Sequence, residues 1–273
     1  MRRGVPVAVI LLGSAAGLAA AHLYPESVVA WNRYVSATEA RIAGELRSPR
    51  GFLALDFAPG ASASRRLVLA GEVVVEPMET TGAGGRSIDV PSAMVHHWRG
   101  AILIPRTTVS RLVAELEQSP PPAGRDDVLE SKILERRPDW IRLSLKLQRK
   151  EIVTAVYNTE HIVVFSHPGD LRATSASTAT KIAEIEAINT RQERELPPGD
   201  DRGFLWRLNT YWRYEQAANG VIAECESITL SREIPAIVRL AVRPLVERTA
   251  RESMTRTLAA LRTRFPAEPA TPR

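Results

Sequence analysis

The chain carries one cysteine, Cys225, in 273 residues. An internal disulfide and a cysteine-based zinc site are therefore excluded. It has no lysine-rich run and no arginine stripe, so nucleic acid is not an expected partner. It has no Gly-x-Ser-x-Gly elbow and no dinucleotide fingerprint. Gly82-Ala83-Gly84-Gly85 is a turn rather than a phosphate loop, because neither a helix nor a Lys-Ser/Thr pair follows it. The histidines are His22, His96, His97, His161 and His167. Adjacent His96 and His97 on a strand point to opposite faces and cannot share an ion, so no metal is expected. Internal repeats and βαβ alternation are both missing. After the N-terminal segment, no stretch is long and apolar enough to span a bilayer.

What is present is ordinary globular composition, 44% hydrophobic and 25% charged. That is enough to build a core without a metal or disulfide staple. The formal net charge is +5, with Arg2 and Arg3 contributing two of those charges. Met1–Arg3 followed by the apolar run Val5–Ala21 reads as a secretory signal over residues 1–21. Ala19-Ala20-Ala21 supplies a small-x-small cleavage pattern near His22. The expected location is periplasmic or secreted, with an uncleaved anchor as the alternative.

Residues 26–90 read as an N-terminal extension. Val28, Trp31, Val35, Thr38, Ile42 and Leu46 recur at helical spacing from Glu26 to Leu46. Phe52–Phe57 and Leu67–Val75 read as short strands. Val95–Ile104 is a stronger strand, and a helix capped by Thr107 or Thr108 follows it. The next strands are Leu129–Arg136, then Ile141–Leu147 with strict alternation, then Ile152–Phe165 and Leu171–Glu186. A charged loop over Glu193–Arg202 could form a lid. Phe204–Glu215 and Val221–Ser231 are joined by Asn219-Gly220, a strong hairpin signal. Helical periodicity then runs from Ile234 to about Arg264, with Pro235 in the first turn and Pro244 expected to kink or divide it. Residues 266–273 read as a disordered tail.

Long antiparallel strands followed by one terminal helix make this an α+β chain with a curved sheet wrapped around that helix. The order resembles the START-like (SRPBCC, helix-grip) superfamily, especially exported bacterial relatives of the polyketide cyclase/dehydrase group. The resemblance covers about Gly71–Phe265, with the domain itself placed at 91–265. It rests on His96-His97-Trp98-Arg99-Gly100-Ala101, Asn158-Thr159-Glu160-His161, Gly203–Glu215 and Glu224–Pro235. It implies a cavity between the sheet and the C-terminal helix. It transfers no catalytic set, since fold alone is not function.

Alternation suggests what would line such a cavity. Trp206, Leu208, Trp212 and Tyr214 share one parity of their strand. Tyr157, Thr159 and His161 share a face of theirs, and Cys225 sits among small residues on the last strand. Arg99, on the same side as His97, could anchor an anionic head group, or make a cross-strand ion pair, or simply meet solvent. Glu224 and Glu226 could serve as paired carboxylates, but read first as wet neighbours on an exposed face. The helix and loops could instead fill the space. The leading expectation is an exported binding or carrier protein for a hydrophobic or amphipathic small molecule, without a cofactor. The alternatives are an envelope interaction module, docked through the N-terminal helix and an exposed Tyr211/Arg213 face, and a cyclase/dehydrase-like enzyme using His161 or Tyr157.

Overall fold

A computed structural model describes residues 21–124, 127–150, 154–234 and 236–265. The signal region before Ala21, residues 152 and 153 of the expected long strand, Pro235 and the tail lie outside these. Among the described residues no helix is long and apolar enough to cross a membrane.

Helix α1 (Pro25–Leu46) leads into a 3-10 turn (Ala54–Phe57) and α2 (Ala61–Leu69). Strands β1 (Val74–Pro77) and β2 (Ala93–Pro105) precede α3 (Val109–Gln118). Then come β3 (Val128–Arg136), β4 (Trp140–Lys150), β5 (Thr154–Gly169) and β6 (Arg172–Glu186). Strands β7 (Arg194–Leu196), β8 (Arg207–Ala217) and β9 (Gly220–Arg232) complete the sheet, and α4 (Ala236–Arg264) ends the chain.

All pairings are antiparallel, in the order β1-β2-β9-β8-β6-β5-β4-β3, with β7 added beside β6. The two hairpins β3–β4 and β5–β6 and the β8–β9 hairpin follow sequence order, as alternation and turn residues predict. Gly220 closes the last hairpin beside β2: at φ 152°, an added Cβ would lie 2.1 Å from the Ile104 carbonyl oxygen. Only glycine tolerates that approach.

Helix α4 lies across one face of the sheet. Met254, Leu258 and Phe265 pack with Trp98, Ile102, Ile104, Ala223, Cys225 and Tyr214. Gly100 sits directly beneath, where a Cβ would come within 2.6 Å of Met254 and 2.7 Å of Leu258. The opposite edge of the sheet also reaches α4. Arg149 of β4 donates to Ser253 Oγ at 2.9 Å, and Asp127, just before β3, pairs with Arg256 at 3.3 Å. Both ends of the strand order therefore meet on one helix, as a helix-grip fold requires. Pro244 lies inside α4, which runs as one helix, so of the two expectations for this proline the division into two helices does not hold.

Two N-terminal elements differ from expectation. Where a strand is expected over Phe52–Phe57, Ala54–Phe57 is a 3-10 turn, and the Phe52 and Leu53 N–H groups both donate to Asp56 Oδ2 at 3.0 Å. The strand expected over Leu67–Val75 begins only at Val74, since Ala61–Leu69 is helical and buries Val68. Helix α3 begins with Thr108, whose hydroxyl accepts the Arg111 N–H at 3.2 Å. Thr108→Ala should lower stability by about 1 kcal/mol, read as a shifted urea midpoint at constant slope.

Candidate functional site

One face of the sheet is the α4 side; on β2, β8 and β9 the opposite face is covered by α1, the 3-10 turn and α2. On the α4 face, cross-strand register aligns Trp98, Ser227, Thr210, Ser177 and Val163 in one row. The next row holds Gly100, Cys225, Trp212, Ser175 and Phe165. Trp98, Cys225 and Val163 are buried, yet Ser227, Thr210, Ser177 and Trp212 between them are only half-buried. Small side chains dominate the middle of this face, while bulky ones close its ends.

Tyr157 is fully buried among Leu147, Ala155, Ile182, Leu205 and Leu208. Its hydroxyl has no hydrogen-bond partner among the described residues. Burial, and secondarily the Glu184 carboxylate, pushes its phenol well above the ordinary tyrosine range. Thr159 Oγ1 donates to the Leu145 carbonyl at 3.1 Å and lies 2.9 Å from His161 Nε2. With the Thr159 proton so used, Nε2 is the protonated nitrogen of His161, and Nδ1 faces the Ser177 hydroxyl at 3.4 Å. Burial lowers the His161 pKa to about 4, so the ring is neutral at pH 7. Trp212 stacks on Tyr214, with centroids 6.1 Å apart at 9°. The Tyr214 hydroxyl is 3.3 Å from Ser175 Oγ. Cys225 is buried, and desolvation raises its thiol far above the reactive range. On the same face His96 Nε2 meets Ser231 Oγ at 2.9 Å, and burial, with Arg149 nearby, lowers its pKa to about 4.

Tyr157, Thr159, His161, Leu208, Trp212, Tyr214 and Cys225 thus lie on the side covered by α4. Two residues expected there do not. Trp206 precedes β8 and its alternation; it packs with Trp31, Tyr34 and Ile228 beneath α1, and its Nε1–H donates to Asp201 at 2.9 Å. Arg99 points away from α4, being the strand neighbour of Gly100, and pairs with Glu76.

The face beneath α1 departs most from expectation. Glu224 and Glu226 are buried, as are Tyr211 and Arg213. The buried stripe of α1 is Ser27, Ala30, Trp31, Tyr34 and Thr38, rotated from the apolar stripe of the sequence. It continues into Arg41 and Glu45, which bond to the sheet. Tyr34 Oη accepts the Thr80 N–H at 2.9 Å and lies 2.8 Å from His97 Nδ1. His97 Nε2 meets Glu226 at 2.7 Å, and Arg41 pairs with the same carboxylate. Burial opposes the charge on Glu226, but the His97 and Arg41 contacts outweigh it and hold its carboxyl below the usual range. Arg213 donates to Glu45 at 2.5 Å and to the Phe52 carbonyl at 3.0 Å. Glu224 accepts the N–H groups of Ala54 at 2.5 Å and Leu55 at 2.8 Å, and burial lifts its pKa to about 7. Arg65 ties Asp56 to Glu215. This network holds the extension onto the sheet. Its signal in the sequence was the run of same-parity polar residues Asn209, Tyr211, Arg213 and Glu215 beside Glu224 and Glu226, together with charges on α1.

The charged loop also does more than connect. Arg194–Leu196 forms β7 against β6, and Asp201 is 1% exposed. Glu184, buried at the end of β6, pairs with Arg202. Among the described residues no group of three or more His, Cys, Asp or Glu is placed to hold a metal ion.

No protein-family profile and no curated protein matches this chain. Solved structures do. A STAR-related lipid transfer protein from Xanthomonas axonopodis is 16% identical, over 65% of this chain and 95% of its own, with a TM-score of 0.42. The human StarD13 (DLC2) lipid transfer and protein localization domain is 8% identical, over 75% and 93%, with a TM-score of 0.40. The Zhui aromatase/cyclase from Streptomyces sp. R1128 is 10% identical, over 63% and 93%, with a TM-score of 0.37. Solved structures similar to this chain thus include lipid transfer proteins and an aromatase/cyclase.

Proposed function

We propose that this chain is an exported carrier that encloses a hydrophobic or amphipathic small molecule, lipid-like in shape, between its sheet and α4. The observation that carries the reading is the half-buried row Ser227, Thr210 and Ser177 in the middle of a face whose ends are buried. Small side chains there would leave volume, and the sheet's two edges, held to α4, would bound it. Tyr157, Leu208, Trp212 and Leu145 would supply apolar wall. The Tyr157 hydroxyl, without a partner among the described residues, and the His161–Thr159 pair would meet a polar end. An apolar wall with few polar groups is the usual character of a small-molecule site. Burial of apolar ligand surface would drive binding at about 25 cal/mol per Å² before ordering costs. Export is supported by Met1–Arg3 and the apolar run that follows. Tyr211 and Arg213 offer no exposed docking face for an interaction module, because α1 covers both.

Ser177→Trp tests the reading. Ser177 lies between Thr210 and Val163 at the centre of the row. If the space is open, the indole fills it. Binding of an anilinonaphthalene sulfonate probe should then fall at least about tenfold while the thermal midpoint holds or rises. A filled interior gives the opposite result: no probe binding in the parent, and about 1–3 kcal/mol lost to overpacking in the variant. Native mass spectrometry of protein purified from exporting cells should in addition detect a retained small molecule.

A further inference from the structure

Ala21 is built into the fold. It is 7% exposed and packs with Trp206 and Trp31. Its N–H donates to the Asp201 carbonyl at 2.8 Å. Gly203 makes room for it, since a Cβ at Gly203 would lie 2.6 Å from that of Ala21. Asp201 is itself 1% exposed. Its Oδ1 accepts from Trp206 Nε1 at 2.9 Å, Gly203 N at 3.1 Å and Gly199 N at 3.4 Å. Its Oδ2 is buried and has no partner among the described residues. The neighbouring charge that bears on it is the Glu184 carboxylate, which already has Arg202 as its partner. A buried carboxylate oxygen with no donor is costly, and such an oxygen calls for an explanation.

We infer that Asp201 is the receptor for a new N-terminus: hydrolysis of the Ala20–Ala21 bond leaves on Ala21 an α-ammonium that pairs with Asp201 Oδ2. The inference rests on the export reading, since a signal-type endopeptidase is the catalyst it requires. Water adds across the amide. The departing segment keeps Ala20 as a carboxylate, and Ala21 keeps the nitrogen, protonated at neutral pH. The peptide nitrogen offers one donor, whereas the ammonium offers three. One keeps the Asp201 carbonyl and two become free for the carboxylate. Cleavage one bond later, where Ala19-x-Ala21 points, would remove Ala21 from the core. It would also leave the Asp201 carbonyl without the donor it has now. The fold therefore favours a cut one residue earlier than the motif suggests, still after a small residue.

The full chain, expressed in an exporting bacterium, is purified and its first residue read by intact mass and peptide sequencing. Ala21 is the expected first residue. Its α-amine should react with an acylating ester at least about tenfold more slowly than the same amine in the peptide Ala-His-Leu-Tyr, because a buried, paired ammonium has no free lone pair. Asp201→Asn keeps an oxygen at Oδ1 and should restore fast acylation. If that variant does not fold, the comparison of the parent with the peptide still decides. A mature chain starting at His22 or Ala20, or an unprotected amine on Ala21, overturns the inference and leaves export standing. An uncleaved chain of 273 residues overturns both.

Discussion

Arg213→Met should lower stability by about 3–5 kcal/mol, the range for removing one partner of a buried ion pair. Arg213 is 3% exposed, and its guanidinium serves three groups. It donates to Glu45 of α1 and to the Phe52 carbonyl, and it lies close enough to Glu224 to favour that carboxylate's charge. Methionine fills similar volume, so little of the loss comes from a cavity. What it leaves behind is a carbonyl without its donor, Glu45 with Arg41 alone as its cation, and Glu224 with one favourable charge fewer. For a domain of this size the thermal midpoint should drop by roughly 10–15 °C. Amide exchange should rise first over residues 50–56, where the extension is held to the sheet. A loss under about 1 kcal/mol would mean that the extension is held by its apolar contacts alone.

Acid should destabilise the fold through His161. Its folded pKa is about 4 against an ordinary 6.5. Between those values the unfolded chain binds a proton that the folded chain refuses, so stability falls as pH drops from 6.5 to 4. The loss is about 3 kcal/mol once the window has been crossed. His96, also lowered to about 4, acts in the same direction. Glu224 acts in the opposite one. Its folded pKa is about 7, so the folded chain takes up a proton there before the unfolded chain does, and stability from this group grows as pH falls from 7 to 4.5. The parent's pH profile is therefore flattened by cancellation, and variants separate the parts. His161→Gln keeps an amide to meet Thr159 and Ser177 but cannot titrate. Between pH 7 and pH 4.5 it should gain about 2–3 kcal/mol relative to the parent in urea unfolding. Parallel profiles for the two proteins would show that His161 is protonated in the fold without strain. Glu224→Gln should shift the difference the other way.

Much of the sheet was legible because its signals are local. Ile141, Leu143, Leu145 and Leu147 alternate with polar residues, and β4 runs over them. Asn219-Gly220 marks the β8–β9 hairpin, and Gly220 is held there by the Ile104 carbonyl. The 3-10 turn at Ala54–Phe57 was not legible as a turn. Its apolar residues look like a strand, and its geometry is held by Asp56 and by Glu224, distant in sequence. Trp206 defeated parity for a related reason. Regular pairing of β8 begins at Arg207, and Asp201 draws the indole toward the α1 side.

The sequence by itself determined the long strands, their hairpin order and the terminal helix, because alternation, turn residues and helical spacing act over a few neighbouring positions; the strand expected over Phe52–Phe57 and the unexpected β7 lie outside that reach. It also specified which residues of a strand share a side. Only the tertiary structure decided what covers each side. Glu224 and Glu226 read as solvent-facing until the 3-10 turn and α1 lie over them, and Arg99, open between head group, solvent and a cross-strand ion pair, is settled by Glu76 of β1. Burial is a property of two surfaces brought together, and a charge becomes structural or free according to the partner that arrives from tens or hundreds of residues away.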